Sequence, residues 1–299
     1  MRKRLILVAH SYEDHRESFK EVARRVRERA PHIGVEIVQD DRYWKRSWRW
    51  MLRPTLAVSM APLKSFKLRR GTIVTTRRAS KVFELEQLQR AGLPVPRWQH
   101  IREERPPDLS DYGPYVVVKP NLGSKGAGVK LVRKGRVRWK PEDAENGGRL
   151  VQEFIYTGPW AVSYRVTVMF GHVLFAVRSE ANHGRTPLRG PDHSPGASIV
   201  ATAKDAVYTL EDSAEVLELG RRAGVAFPDH PIVGVDLIRE HATGKLYVLE
   251  INGGGYTWAF TSRAGRGVQN DHGIDLAGQF DGYTIAADAL IEAVETRAR

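Results

Sequence analysis

Two β-forming runs, Tyr115–Lys119 and Gly128–Val132, are joined by Pro120-Asn121-Leu122-Gly123-Ser124-Lys125-Gly126-Ala127. The glycines at 123, 126 and 128 therefore lie between strand and strand. That arrangement reads as a glycine loop joining two strands. It excludes the two common glycine-rich nucleotide motifs, which join a strand to a helix, and the GxxxxGK[ST] spacing is absent as well. A loop of this kind can close over a polyphosphate, because backbone N–H groups approach oxygen closely where no Cβ intervenes, and Lys119 emerges beside it as a point charge. The same letters also describe an ordinary flexible hairpin.

Two further segments carry chemistry. If Val233–Ile238 and Leu246–Ile251 pair as a hairpin, Asp236 and Glu250 project to one side, and Asn252 shares the face of Glu250 because strand side chains alternate. Two carboxylates and an amide oxygen are hard ligands suited to Mg²⁺, with phosphates completing an octahedron. A solvated strand face fits poorly, since both carboxylates sit in apolar runs where an unpaired charge is costly to bury. Leu150–Tyr156 has the apolar side chains to sandwich a purine while its backbone reads the base edge, although most such strands are plain core.

Around these segments the pattern is mixed α and β. Leu5–Ala9, the helical spacing of Phe19, Val22, Ala23, Val26 and Ala30 within 13–30, and Val35–Val38 form an opening βαβ unit. Leu56–Ser59 and Thr72–Thr75 complete a small α/β layer ending near residue 78. A helix starts at the Ser80 cap and stops at Ala91-Gly92-Leu93-Pro94. Residues 102–114 read as a loop. Strands are expected at Val137–Trp139, Leu150–Tyr156, Val162–Phe170, His172–Arg178, Ile232–Arg239 and Lys245–Ile251, with helices at Glu211–Ala223 and Thr284–Val294. Residues 180–204, with six Gly or Pro, read as a lid or binding loop.

Composition narrows the classes. The absence of cysteine removes disulfides, thiol nucleophiles and Cys-ligated zinc. No apolar run approaches the roughly 18 residues of a membrane span, and the basic start is too short for a secretory signal, so a cytoplasmic protein is expected. The formal charge of +12 is uneven: residues 1–80 hold 20 Lys/Arg against 8 Asp/Glu, and the remainder holds 27 of each. Tyr43–Pro54 interleaves aromatic and cationic residues, which could stack on bases, meet a membrane interface, bind an acidic peptide or simply pack as one helical face.

In order along the chain, Arg77–Pro96, Val118-Lys119-Pro120 with its glycine loop, Gln152-Glu153-Phe154-Ile155, Tyr164–Val168 and the Gly-Val-Asp and Glu-Ile-Asn pair resemble the ATP-grasp superfamily. The similarity covers roughly residues 78–296 and is nearest the ribosomal-protein-modifying glutamate ligases and the glutathione-synthetase-like branch. The resemblance implies an α+β fold in which two subdomains grip ATP, residues 79–150 with the phosphate loop and 151–299 with the magnesium site, preceded by a small α/β domain over 1–78. It implies ATP and Mg²⁺ as cofactors. It assigns Lys81 and Lys119 to phosphates, Gly123, Ser124 and Gly126 to the mobile loop, and Gln152, Glu153, Phe154 and Ile155 to the adenine hinge. Ser163 stands near where relatives carry an acidic ribose ligand. Asp236, Glu250 and Asn252 match the metal ligands. Arg165 and Arg178 are expected to face the triphosphate, and Arg185, with Arg189 as alternative, to touch substrate from the 180–204 loop. The histidines there, His183 and His193, lack metal-ligand spacing.

The implied activity is a carboxylate–amine ligase working through an acylphosphate. Its substrates are expected to be small molecules or peptides, anionic ones if the basic first domain helps form the acceptor site. A kinase using the same ATP grip, or a nucleic-acid-binding protein using the basic unit, are the alternatives. Nucleic acid is the less favoured partner, and a homo-oligomer is left open. No Ser/His/Asp or Cys/His nucleophile constellation is legible in the sequence.

Overall fold

A computed structural model of the 299-residue chain describes residues 3–10, 16–40, 53–68, 70–77, 79–123, 126–141, 143, 147–185, 192–193, 206–253 and 260–299. The first layer is a parallel sheet of β1 (Arg4–Ala9), β2 (Gly34–Gln39), β3 (Thr55–Ser59) and β4 (Thr72–Thr75), in the order β2-β1-β3-β4. β1 is apolar from Leu5 to Ala9 because both faces are covered, as parallel sheets require. Helix α1 (Arg16–Arg29) buries Phe19, Val22, Ala23 and Val26 against it.

Helix α2 (Lys81–Arg90) leads into a second sheet, built from β5 (Trp98–Ile101), β6 (Tyr115–Pro120), β7 (Lys130–Arg133), β8 (Arg149–Glu153) and the two-residue β11 (Asp192–His193), in the order β11-β7-β6-β8-β5. The expected strand at 137–139 is absent, because the chain makes a single 3₁₀ turn at Lys134–Arg136 and continues without a partner strand. The boundary placed between 150 and 151 falls inside β8, which pairs with β6 and β5 and so belongs to this sheet.

The third sheet comprises β9 (Trp160–Met169), β10 (His172–Gly184), β12 (Ala206–Leu210), β13 (Ile232–Arg239) and β14 (Leu246–Gly253), in the order β12-β10-β9-β13-β14. β10 runs six residues past the expected end at 178, so the first part of the 180–204 segment is strand. One face of this sheet carries Val166, Val168, Val235 and Leu237 and is covered by α3 (Ala214–Val225) through Val216, Leu219 and Ala223. The opposite face meets α5 (Gly282–Arg297), which packs with α1 and joins Phe175, Val177 and Met169 to the core of the first layer. Helix α4 (Arg263–His272) packs beside β12. Among the described residues no helix is long and apolar enough to cross a membrane.

Candidate functional site

The site forms where α2, the end of β6 and the ends of β13 and β14 meet. Ser80 caps α2 by accepting the Phe83 N–H at 3.2 Å. Asn121, just past β6 and buried, supplies the rest of the anchor: its backbone carbonyl accepts the Lys81 N–H at 3.0 Å, its Oδ1 accepts the Val82 N–H at 3.0 Å and its Nδ2 donates to the Gly147 carbonyl at 2.9 Å. The start of α2 is thereby locked to β6, and Lys81 points back over the glycine loop. Its Nζ donates to Glu250 Oε1 at 3.0 Å and to the Gly123 carbonyl at 3.3 Å.

Lys119 is buried on β6, and desolvation pushes its ammonium down to about 8, aided by Lys81 and opposed chiefly by Glu250. One turn beyond Lys81, Glu84 lies among the same groups. Burial and the Glu250 charge push its carboxyl up to about 8, against Lys81, Lys119 and the Ile251 backbone N–H. Glu84 and Asn121 were not singled out in the sequence. The i+3 spacing of Glu84 from Lys81 on the expected helix was the available signal.

Of the loop, Gly126 and Gly128 adopt φ of 72° and 74°, left-handed positions that favour glycine, and a Cβ on Gly128 would come within 2.7 Å of Pro120. Ser124 lies outside the described residues.

The carboxylate patch follows the strand register. Asp236 is paired with Glu250 across β13 and β14, Gly234 with Asn252, and Arg165 of β9 with Asp236, so all the named side chains share one face. Arg165 grips Asp236 with both prongs, Nε to Oδ1 at 2.6 Å and Nη2 to Oδ2 at 2.8 Å, and that pairing holds its guanidinium more firmly protonated. Asn252 Nδ2 donates to Asp236 Oδ2 at 2.7 Å. Arg178 does not join them. In the β9–β10 register Val177 stands opposite Arg165 and Arg178 opposite Tyr164, so the two arginines project from opposite faces, and Arg178 ion-pairs with Glu180 on its own strand. The expectation that both face one triphosphate fails on the two-residue period.

The hinge expected at 152–155 starts at the end of β8. Gln152 is buried on the Lys119 face, and its Nε2 has no acceptor among the described residues. The Glu153 carboxylate is taken by the Arg97 fork at 3.0 and 2.7 Å, which holds it below the usual carboxylate range, and its backbone N–H donates to the Arg97 carbonyl at 2.8 Å. Ile155 is buried. Arg185 lies over the rings of Phe154 and Tyr156, at 5.8 and 5.7 Å, and donates to the Gly158 carbonyl and Thr157 Oγ1 at 2.9 and 2.6 Å. It thus braces the turn after the hinge and stands apart from the Asp236–Glu250 patch. Ser163 is opposite Ser179 on the Arg165 face. His183 bonds its neighbour Asn182, while Arg189, the loop after Gly253 and nearly all of the Trp/Arg stretch 43–54 lie outside the described residues.

A Ser/His/Asp grouping does exist, contrary to expectation, at the strand ends of the first sheet. His10 Nε2 is 2.8 Å from Ser59 Oγ, and His10 Nδ1 is 3.6 Å from Asp40. Ser59 is fully buried and donates its proton to the Ala61 carbonyl at 2.6 Å, while Asp40 accepts the N–H groups of Lys64, Ser65 and Phe66. The group folds the 60–66 segment and offers no accessible nucleophile.

The residues present fit a divalent cation of the magnesium type. Two carboxylates with an amide oxygen on one face, each carboxylate already drawing a cation, match hard-ion chemistry, whereas no group of three or more His, Cys, Asp or Glu side chains assembles among the described residues.

A family model described as ATP-grasp domain matches residues 78–254. No curated protein matches the sequence. Among solved structures, the chain is similar to the ATP-grasp ligase PsnB complexed with minimal precursor, Mg and ADP (17% identity, 97% of each chain, TM-score 0.56). It is also similar to D-cycloserine synthetase DcsG (16% identity, 97% of this chain and 99% of that one, TM-score 0.55) and to D-alanine–D-alanine ligase from Bacillus anthracis (13% identity, 98% of each, TM-score 0.50). These likenesses support the three-sheet fold.

Proposed function

The chain belongs to the ATP-grasp family, and from that premise we propose that it is an ATP- and Mg²⁺-dependent ligase that joins a carboxylate to an amine through an acylphosphate. The observation that carries this is the convergence of Lys81, Lys119, Arg165, Asp236, Glu250 and Asn252, from five separate elements, beside a glycine hairpin. The PsnB, DcsG and D-alanine–D-alanine ligase likenesses are consistent with amino-acid or peptide substrates.

Lys119 and Lys81 orient the triphosphate, with loop N–H groups around Gly126 closing over it and the orphaned Gln152 Nε2 donating to the base. Asp236, Glu250 and Asn252 would hold Mg²⁺, which supplies neutralisation of the phosphate charge. Arg165 stands beside the same oxygens. The substrate carboxylate oxygen attacks the γ-phosphorus and ADP leaves; the amine nitrogen then attacks the acyl carbon, inorganic phosphate leaves and the nitrogen loses a proton. Positioning and electrostatics suffice for both steps, so no side-chain nucleophile is needed. Arg178 has no part in the phosphate chemistry, because it is on the other face, while Arg185 braces the hinge through Nε and Nη2. We also place the subdomain division after Glu153, giving 1–78, 79–153 and 154–299.

The test is incubation with ATP, Mg²⁺ and a pool of amino acids and short peptides, with mass analysis of whatever makes ADP release substrate-dependent. A product lighter by one water than its two substrates supports the ligase; a phosphorylated hydroxyl refutes it in favour of a kinase. Glu250→Ala is expected to lower turnover at least 10²-fold while the protein stays folded.

A further inference from the structure

Each carboxylate that the proposed function gives to the metal is held, in this structure, by a cation that it gives to phosphate. Arg165 forks onto Asp236 at 2.6 and 2.8 Å, and Lys81 reaches Glu250 at 3.0 Å. The Asp236 and Glu250 side chains are only 21% and 28% exposed, so an unpaired charge on either is costly. Asn252 Nδ2 ties the first pair to the second strand, and the Gly123 carbonyl ties Lys81 to the phosphate loop.

We infer that Arg165 and Lys81 are internal placeholders for the metal, and that metal and nucleotide consequently bind as one strongly coupled unit; this rests on the metal assignment above. A free divalent cation must break two ion pairs and strand two cations. A nucleotide alone must draw Arg165 and Lys81 away and leave two carboxylates unpaired against its own negative phosphates. When both arrive, the dication takes the carboxylates, the phosphates take the cations, and every charge again has a partner. Release of Lys81 also frees the Gly123 carbonyl. Arg165 is thus a residue with two stations, Asp236 before loading and phosphate after.

The experiment is Mn²⁺ binding by the full-length protein, followed by the loss of the free-ion electron paramagnetic resonance signal, with and without a non-hydrolysable ATP analogue and corrected for Mn²⁺ bound to the analogue alone. The wild type is expected to bind Mn²⁺ weakly alone and about tenfold or more tightly with the analogue present. Arg165→Ala and Lys81→Met should raise nucleotide-free Mn²⁺ affinity by about tenfold, and should shrink the coupling. Lys119→Met, which removes a site cation that sits on no carboxylate, sets the size of the general charge effect and should raise it clearly less. Arg165→Lys, which keeps the charge but loses the fork, should fall between. If Arg165→Ala and Lys81→Met raise nucleotide-free affinity no more than Lys119→Met, the placeholder role is overturned while the metal site stands. If Asp236→Asn and Glu250→Gln leave Mn²⁺ binding unchanged with the analogue present, the metal assignment itself fails.

Discussion

Gly220 sets the distance between α3 and the sheet that carries the site. A Cβ built on it would lie 2.5 Å from Val166 Cβ and 2.6 and 2.7 Å from the two Val166 methyl carbons. Ordinary carbon–carbon contact is about 3.5–4.0 Å, so the helix would have to retreat by roughly 1 Å. Because Val166 Cβ is itself one of the clashing atoms, no rotamer of Val166 relieves the contact. Overpacking of this kind costs about 1–3 kcal/mol, and the better helix propensity of alanine returns about 1 kcal/mol. Gly220→Ala is therefore expected to lower stability by up to about 2 kcal/mol, read as a fall in the urea midpoint at unchanged slope. A Cβ on Gly267 in α4 would meet nothing within 4 Å, so Gly267→Ala supplies the control, with a gain of about 0.5–1 kcal/mol. Opposite signs for one chemical change test the packing directly; equal gains in both variants would refute it. Val166 neighbours Arg165 on β9, so Gly220→Ala should also weaken nucleotide binding, and Gly267→Ala should not.

Glu84 predicts a pH effect. Its carboxyl titrates at about 8 in the fold instead of the ordinary 4.5, so the folded chain keeps a proton that the unfolded chain releases, and stability falls as pH rises from about 4.5 to about 8. Glu84→Gln should remove that slope and gain on the order of 2 kcal/mol at pH 9, measured by urea unfolding across the range; an unchanged slope would place Glu84 in water. Asn121→Ala should cost about 1–3 kcal/mol by leaving the Val82 N–H at the start of α2 without its side-chain acceptor and the Gly147 carbonyl with His100 alone, and should raise the dissociation constant for ATP because the turn that carries Lys81 is held less firmly. Unaltered ATP affinity in that variant would show that the backbone hydrogen bond from Lys81 to residue 121 places Lys81 without help from the side chain.

Much of the architecture was legible because period and punctuation are local. The β13–β14 pairing, the helix at Ser80 and β4 over Thr72–Thr75 all follow from alternation, a cap and a short apolar run. What was missed depends on partners distant in sequence. β5 reads as polar, Trp98-Gln99-His100-Ile101, and becomes a strand because β8 offers its edge. Helix α4 contains two glycines and no buried side chain, so no pattern marks it; its Ser262 cap and the Gly273 stop hold it. At the site, Asp236 with Glu250 is legible from spacing, whereas the face taken by Arg178 depends on a strand irregularity that no local pattern announces. That irregularity lies in β10 between Val173 and Phe175 and shifts Phe175–Glu180 by one relative to a simple count, which turns Arg178 away from the Arg165 face.

The uneven charge takes on a second meaning in three dimensions. Lys3, Arg25 and Arg29, all in the basic first quarter, meet Glu295, Asp281 and Asp288 at 2.7, 2.8 and 2.6 Å, and those acids all belong to the last nineteen residues of the chain. Exposed pairs of this kind add only about 0–1 kcal/mol each, and the attachment itself comes from Ala286, Leu290, Ala293 and Val294 buried against α1 and the first sheet. Their effect is on specificity: an acidic rim on α5 matches the basic rim of α1 and disfavours docking in another register. Part of the excess at the start of the chain is therefore addressed to the chain's own end. An anionic acceptor would be attracted only by what is left over, the cations that α5 does not reach, and that remainder is what an ionic-strength series on the acceptor Michaelis constant would measure.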